Sequence, residues 1–337
     1  MNDIQEQDIR EFVQSFSLAS YYANTRFMIT GATGLIGSTL VKCLLALNKK
    51  ISITIPVRNS DKATALYGRD INSLKIVECD LLDYCATLDE DFDYIVHCAS
   101  PTSGKFMSEH PVETYELAIE TTRSLLRYAH THPIHGMVYV SSLEYYGENH
   151  DDRGVTEDFQ GYVNPSSPRS SYPMGKRAAE YLVTAYAQEY GIPAKIARLT
   201  QTFGAGISVD DDRVFAQFAR SVIHGTDIVL HTTGESAKPY CYSTDCTSAI
   251  LTILIGGGKG EAYNVANQDT YISIRELAEF LCENYNPKVS VLIDEKTGLG
   301  YAPITRLNLS SEKLMALGWF PKYDLKEMFN RLINSIK

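Results

Sequence analysis

Residues 26–37 read RFMITGATGLIG, a segment of five with Phe27, Met28 and Ile29 at its centre, followed by glycines at 31, 34 and 37. The run Arg26 to Thr30 predicts a short buried strand, and STLVKCLLAL after the last glycine has the spacing of a helix. The glycines therefore fall in the turn that opens a β-α-β unit. Glycine lets the chain turn tightly and lets a ligand approach the backbone, while the helix N-terminus offers unpaired N–H groups and partial positive charge. Such a turn suits a pyrophosphate, held by Gly31, Thr33, Gly34, Leu35, Ile36 and Gly37.

Working outward, further strands are expected at Ile51 to Val57, Leu74 to Glu78, Asp93 to Ser100, Gly136 to Ser142 and Ala194 to Thr200. Helices are expected at Pro111 to His130 and Pro173 to Tyr190. Strands alternating with helices predict an α/β fold, a doubly wound parallel sheet of Rossmann type. Residues 1–25 read as an N-terminal helical extension and 26–202 as the dinucleotide-binding domain. Residues 203–337 read mainly as a smaller mixed α/β substrate-binding lobe, with about 240–270 returning to the first domain. The ends of the strands carry further cofactor candidates. Arg58 and Asn59 follow the second strand where an NAD-binding site usually has an acid. Arg58 suits the extra phosphate of NADP, or is a solvated surface arginine. Asp80 follows the third strand and is either an adenine contact or a strand-end cap, with Leu81 beside it. Ala99, near the end of the fourth strand, completes this group.

The bulk properties narrow the class. A 337-residue chain, 44% hydrophobic and 21% charged, is long enough for a large domain with an attached lobe. A formal charge of -10 disfavours a nucleic-acid partner, and no apolar stretch has the length of a membrane span. The first residues lack the pattern of a secretory signal. Seven scattered cysteines suit a reducing cytoplasm. His130, His132 and His135 have a spacing a metal could use, but they occupy a polar connection without an acid or cysteine partner, so no metal site is expected.

Tyr172 and Lys176 lie one helical turn apart and so share a helix face. A lysine beside a phenol lowers its pKa, and with a cationic nicotinamide nearby the phenolate becomes accessible and can take a hydroxyl proton as hydride leaves the same carbon. The spacing alone is weak in a chain with 22 tyrosines. Ser142 strengthens it, because it ends the preceding strand and can hydrogen-bond to the same substrate oxygen.

GATGLIG, HCASP, VSSLEYYG, YPMGK and YNVAN, in this order and spacing, resemble the extended short-chain dehydrogenases/reductases: the nucleotide-sugar epimerases, dehydratases and decarboxylases. Within that family HCASPTS and PRSSYPMGKRAAE are most similar to the UDP-glucuronate decarboxylases. The resemblance implies catalysis by Ser142, Tyr172 and Lys176 on a retained NAD or NADP. It implies substrate contacts from Ser100, Pro101, Ser142, Arg169, Gln201, Arg213 and Lys238. Family dehydratases carry Asp then Glu after the position of Ser142, and decarboxylases Ser then Glu; this chain has Leu143 and Glu144. Leucine cannot give a leaving hydroxyl its proton, so a 4,6-dehydratase is disfavoured. Glu144 is read as a further catalytic residue, or as a solvated loop carboxylate. Ala118 and Gln201 replace asparagines usual in the family. Lys238 replaces a pyrophosphate-binding arginine and loses the bidentate fork. For Lys238 and Arg213 a surface role is the alternative.

The expected chemistry is a transient 4-keto sugar on a nucleoside diphosphate, leading first to decarboxylation of a UDP-uronic acid. Alternatives are 4-epimerisation, NADPH-dependent keto-sugar reduction, or a non-enzymatic dinucleotide-binding regulator or scaffold. A homodimer is expected through a four-helix contact of Pro111 to His130 and Pro173 to Tyr190.

Overall fold

In the computed structural model, which describes residues 2–101, 104–208, 210–296 and 304–337, the first strand, Arg26–Thr30, lies near the middle of a seven-stranded sheet. Its companions in chain order are Ser52–Val57, Leu74–Glu78, Tyr94–His97, Gly136–Ser142, Ala194–Leu199 and Ala262–Val265. Every neighbouring pair is parallel, in the order third, second, first, fourth, fifth, sixth, seventh. The order reverses between the first and fourth strands. In such a sheet a crevice opens there at the carboxyl ends, where ligands bind.

Alternation along the strands divides the core between two faces. Phe27, Ile29, Val96, Val138 and Val140 belong to one cluster with Leu40, Val41 and Leu44 of the helix Leu35–Ala46 and with Ile250 and Leu254 of the helix Ser243–Gly256. Met28, Ile95, Met137 and Tyr139 belong to another with Leu125 and Leu126 of the helix Pro111–Thr131 and with Val183 of the helix Ser171–Tyr190. The strands are thus apolar on both sides, as a covered parallel sheet requires.

The N-terminal extension forms a helix, Asp3–Ser15, and a 3-10 turn, Ser17–Tyr22, that join the first cluster through Ile9, Phe12 and Tyr22. Asp8 is buried and accepts hydrogen bonds from Arg331 at 2.6 Å and from Tyr242 at 2.7 Å. This fixes the extension to the C-terminal helix Leu325–Ile336. A second core, around Phe203, Phe215, Tyr240, Leu277 and Phe329, lies under a three-stranded sheet of Gln201–Phe203, Ala237–Tyr242 and Asn267–Ser273.

The fourth strand was expected to run to Ser100 but ends at His97. Beyond it Cys98 N and Ala99 N, each at 3.2 Å, donate to the carbonyl and hydroxyl oxygens of Thr30. The chain is drawn across the glycine turn, and the ladder stops. His97 is buried, with Nδ1 2.7 Å from Thr30 Oγ1 and Nε2 3.2 Å from Thr121 Oγ1. Burial, with the charge of Lys176, pushes its pKa down to about 3. As pH falls from about 6.5, the unfolded histidine takes a proton that the folded one refuses, so this group removes stability at up to about 1.4 kcal/mol per pH unit. His97→Gln should flatten the loss of urea-unfolding stability between about pH 7 and pH 5 by an amount approaching that slope. An unchanged slope would show that His97 is protonated in the fold.

Candidate active site

Gly31 has φ +68°, and a Cβ there would lie 2.7 Å from Ala99 N; a Cβ on Gly37 would lie 2.4 Å from the Gly31 carbonyl oxygen. Both positions admit only glycine. Gly34 is the N-cap of Leu35–Ala46 and has no side chain to close the helix end. That end fits a pyrophosphate, with the backbone of Gly31, Thr33, Gly34, Leu35, Ile36 and Gly37 as the cradle. Arg58 is exposed just after the second strand, and Asn59 caps the helix Ser60–Tyr67 by accepting from Lys62 N at 2.7 Å. Asp80 caps the helix that begins at Leu81, accepting from Leu82 N at 2.8 Å, so of its two sequence readings the geometry displays the cap.

The catalytic candidates meet at the carboxyl end of the fifth strand. Ser142 is its last residue, and its Oγ accepts from Glu144 N at 3.2 Å, starting the 3-10 turn Leu143–Tyr146. Tyr172 opens the helix Ser171–Tyr190. Burial pushes its hydroxyl up to about 12; Ser142 and Ser100 favour the phenolate, and the charge of Glu144 opposes it. Ser100 Oγ is itself buried and makes no well-formed hydrogen bond, which leaves it available to a substrate oxygen.

Lys176 does not bond to the phenol. Its Nζ donates to the Val140 carbonyl at 2.9 Å and lies 4.7 Å from the Tyr139 ring centroid and 5.5 Å from that of Tyr172. Burial pushes it down to about 8, opposed by Glu180. Burial is the largest influence on the phenol, and the ammonium of Lys176 is engaged by the backbone.

Glu144 is half-buried and its charge acts on both Tyr172 and Lys238. Lys238 stands on the strand Ala237–Tyr242; burial pushes its pKa down, Glu144 opposes this, and the nearby Arg169 adds to it. Arg169 itself is exposed in the turn Pro168–Ser170. Gln201 lies on the adjoining strand, paired in register with Tyr240. Ser100, Ser142 and Glu144 thus act on Tyr172, and Glu144 and Arg169 on Lys238. Pro101 is half-buried, and Thr102 and Ser103 of the HCASPTS motif lie outside the described residues.

Arg213 stands apart in its bonding. Its guanidinium is held by Asp211 at 2.5 Å and by the Thr202 carbonyl at 3.2 Å, so a phosphate would have to compete with a carboxylate. Leu143 is buried with Tyr146, Val155 and Leu309 and serves the core. Ala118 packs where a Cβ on Gly175 would come within 3.2 Å of it, bringing the two long helices close together. His130, His132 and His135 each pack on a different tyrosine, Tyr190, Tyr128 and Tyr94, and His132 is half-buried rather than solvated. Sequence reasoning missed a buried pair, Glu180 and Arg198. The available signal was a charge four residues beyond Lys176 and another inside the apolar strand AKIARL.

Among the described residues no helix is long and apolar enough to cross a membrane. The model of the NAD dependent epimerase/dehydratase family matches residues 27–266. UDP-glucuronic acid decarboxylase 6 of Arabidopsis thaliana is 29% identical over 313 residues, 91% of this chain and 87% of the relative. The UDP-glucose 4-epimerase of Thermotoga maritima, solved with UDP-glucose, superposes with a TM-score of 0.78 at 20% identity, covering 92% of this chain and 98% of that one. The UDP-glucuronic acid 4-epimerase of Bacillus cereus, solved with NAD, gives 0.75 at 21% identity over the same shares. Tyr172→Phe should leave dinucleotide binding intact, read by fluorescence titration, and reduce turnover by at least about 10²-fold, since the ring still packs but takes no proton. Parental rates in that variant would remove Tyr172 from the chemistry.

Proposed function

Because the chain belongs to the NAD-dependent epimerase/dehydratase family and is an NAD-dependent enzyme of the extended short-chain dehydrogenase/reductase type, we propose that it modifies a nucleoside-diphosphate sugar through a transient ketone at carbon 4, decarboxylating a UDP-uronic acid. The observation that supports this reading is that Glu144 acts on both Tyr172 and Lys238, and Arg169 on Lys238. A bound nicotinamide dinucleotide supplies the acceptor, and later the donor, of the hydride at carbon 4. The phenolate of Tyr172 takes the carbon-4 hydroxyl proton, while Ser142 and Ser100 donate hydrogen bonds to the same oxygen. The buried phenol is protonated until positive charge arrives beside it, so proton removal is tied to the loaded site.

Once carbon 4 is a ketone, the sugar carboxylate is a β-keto acid. Its bond to carbon 5 breaks, carbon dioxide leaves, and the electron pair passes into an enolate that is then protonated at carbon 5. Glu144 favours the step by repelling the substrate carboxylate, whose charge is lost as neutral carbon dioxide, and it stands where it can exchange the proton. Lys238 and Arg169 offset the diphosphate and carboxylate charges before that loss. Simple 4-epimerisation is the second reading, favoured by Leu143, which offers no acid or base.

We also propose that the cofactor remains bound through turnover, that exposed Arg58 inclines the site toward NADP, and that the helices Pro111–Thr131 and Ser171–Tyr190 form a four-helix homodimer contact. The free cysteines, four of them buried, fit residence in the reducing cytoplasm. Arg58→Asp should shift the ratio of NADP to NAD affinity toward NAD by about tenfold or more, by removing a phosphate partner and adding repulsion. An unchanged ratio would mean that Arg58 faces only water. Glu144→Gln, assayed with UDP-glucuronate, should lower decarboxylation by on the order of 10²-fold. The first hydride transfer should survive, so reduced nicotinamide accumulates in a single turnover. Decarboxylation at the parental rate would remove Glu144 from the mechanism and leave epimerisation ahead.

A further inference from the structure

Glu180 and Arg198 are charged residues with 3% and 4% exposure that the proposed chemistry does not use. They face each other with Arg198 Nη2 2.8 Å and Nε 3.0 Å from Glu180 Oε2. Burying such a pair costs each ion its hydration, and apolar residues of similar volume would commonly hold a core as well. Stability alone therefore gives a poor account of it.

Its connections give a better one. Glu180 Oε1 accepts from Ser141 Oγ at 2.5 Å, and Ser141 is the residue before Ser142. Arg198 Nη1 donates to Tyr146 Oη at 2.9 Å and to the Glu157 carbonyl at 2.6 Å, and Tyr146 closes the turn that bears Glu144. Tyr146 Oη in turn donates to Asn264 Oδ1 at 2.6 Å. Glu180 lies one helical turn beyond Lys176 on the same face. The strand of Ser142, the helix of Tyr172 and Lys176, and the turn of Glu144 all end on this one pair.

The surroundings of Lys176 make the carboxylate matter. Tyr172 and Glu180 face it from its own helix, the Tyr139 ring and Val140 carbonyl from the fifth strand, and His97 and Cys98 from the end of the fourth. Burial keeps His97 down near about 3 and Cys98 up at about 12, so neither is charged at neutral pH. Tyr139 and Tyr172 are likewise raised and neutral. Burial pushes Glu180 upward, and Arg198, Ser141 and Lys176 hold it toward the carboxylate. Among these groups Glu180 is the source of negative charge.

We propose that Glu180, braced by Arg198, is a positioning residue of the catalytic set: it fixes Ser142 through Ser141, holds the Glu144 turn through Arg198 and Tyr146, and faces Lys176 with a fixed negative charge. The assignment rests on Ser142, Tyr172 and Lys176 being the catalytic group.

The test is Glu180→Gln in the dinucleotide-loaded enzyme. With UDP-glucuronate, kcat should fall about tenfold or more with KM changed by less than about threefold, and the basic limb of the kcat profile should move down by about one pH unit. Lysine-labelled NMR titration, with Lys176 assigned by its disappearance in Lys176→Met, should show the ammonium titrating about one unit lower, since a charge that favoured it is gone. The double variant Glu180→Gln/Arg198→Met leaves no unpaired buried guanidinium, so it keeps the test valid if the single variant does not fold. It should show the same lysine shift. If Lys176 and the basic limb stay in place, the pair is only structural and the proposal is overturned. If Lys176 shifts but the parental enzyme leaves UDP-glucuronate untouched, the substrate reading fails and the positioning role stands.

Discussion

Two missing side chains govern the placement of nearly every group in the cleft. Because Gly37 has no Cβ, the helix Leu35–Ala46 can settle against the Gly31 carbonyl, where a Cβ would stand only 2.4 Å away. Because Gly31 has none, the chain leaving the fourth strand can pass over the turn and bond to Thr30. That crossing carries Ser100 to the phenol of Tyr172. The anion cradle and the reacting groups are therefore set by one contact, and a methyl group at either glycine would separate them.

Around that contact burial outweighs the local charges. It holds the phenol of Tyr172, the thiol of Cys98 and the imidazole of His97 uncharged at neutral pH. What charge remains is sorted by position. Glu144 acts on Lys238 together with Arg169, and Glu180 of the helix Ser171–Tyr190 is paired with Arg198 of the sixth strand. In a medium of low polarizability a few fixed charges act strongly on their neighbours.

The sheet was legible because its signals are local. Each of the first six strands is a short segment built on apolar residues, and the predicted bounds of Arg26–Thr30, Leu74–Glu78 and Gly136–Ser142 are those observed. Gly31, Gly34 and Gly37, and likewise Tyr172 and Lys176, announce themselves by spacing within a single turn. Groups joined across the fold do not. Nothing in the chain near Glu180 names Arg198, which lies beyond the end of the helix and on another strand. Local competition bears on residues the sequence left open: Asp80 caps the helix that begins beside it, and Arg213 pairs with Asp211. The fourth strand stops short because of Thr30, a residue 67 positions earlier than its bonding partner His97.

The hydrogen bond from Lys176 to the Val140 carbonyl ties the lysine to the sheet as well as to its own helix. A slide of the helix Ser171–Tyr190 along the fifth strand would have to break it. The side chain thus latches the two elements in register close to where Tyr172 and Ser142 meet.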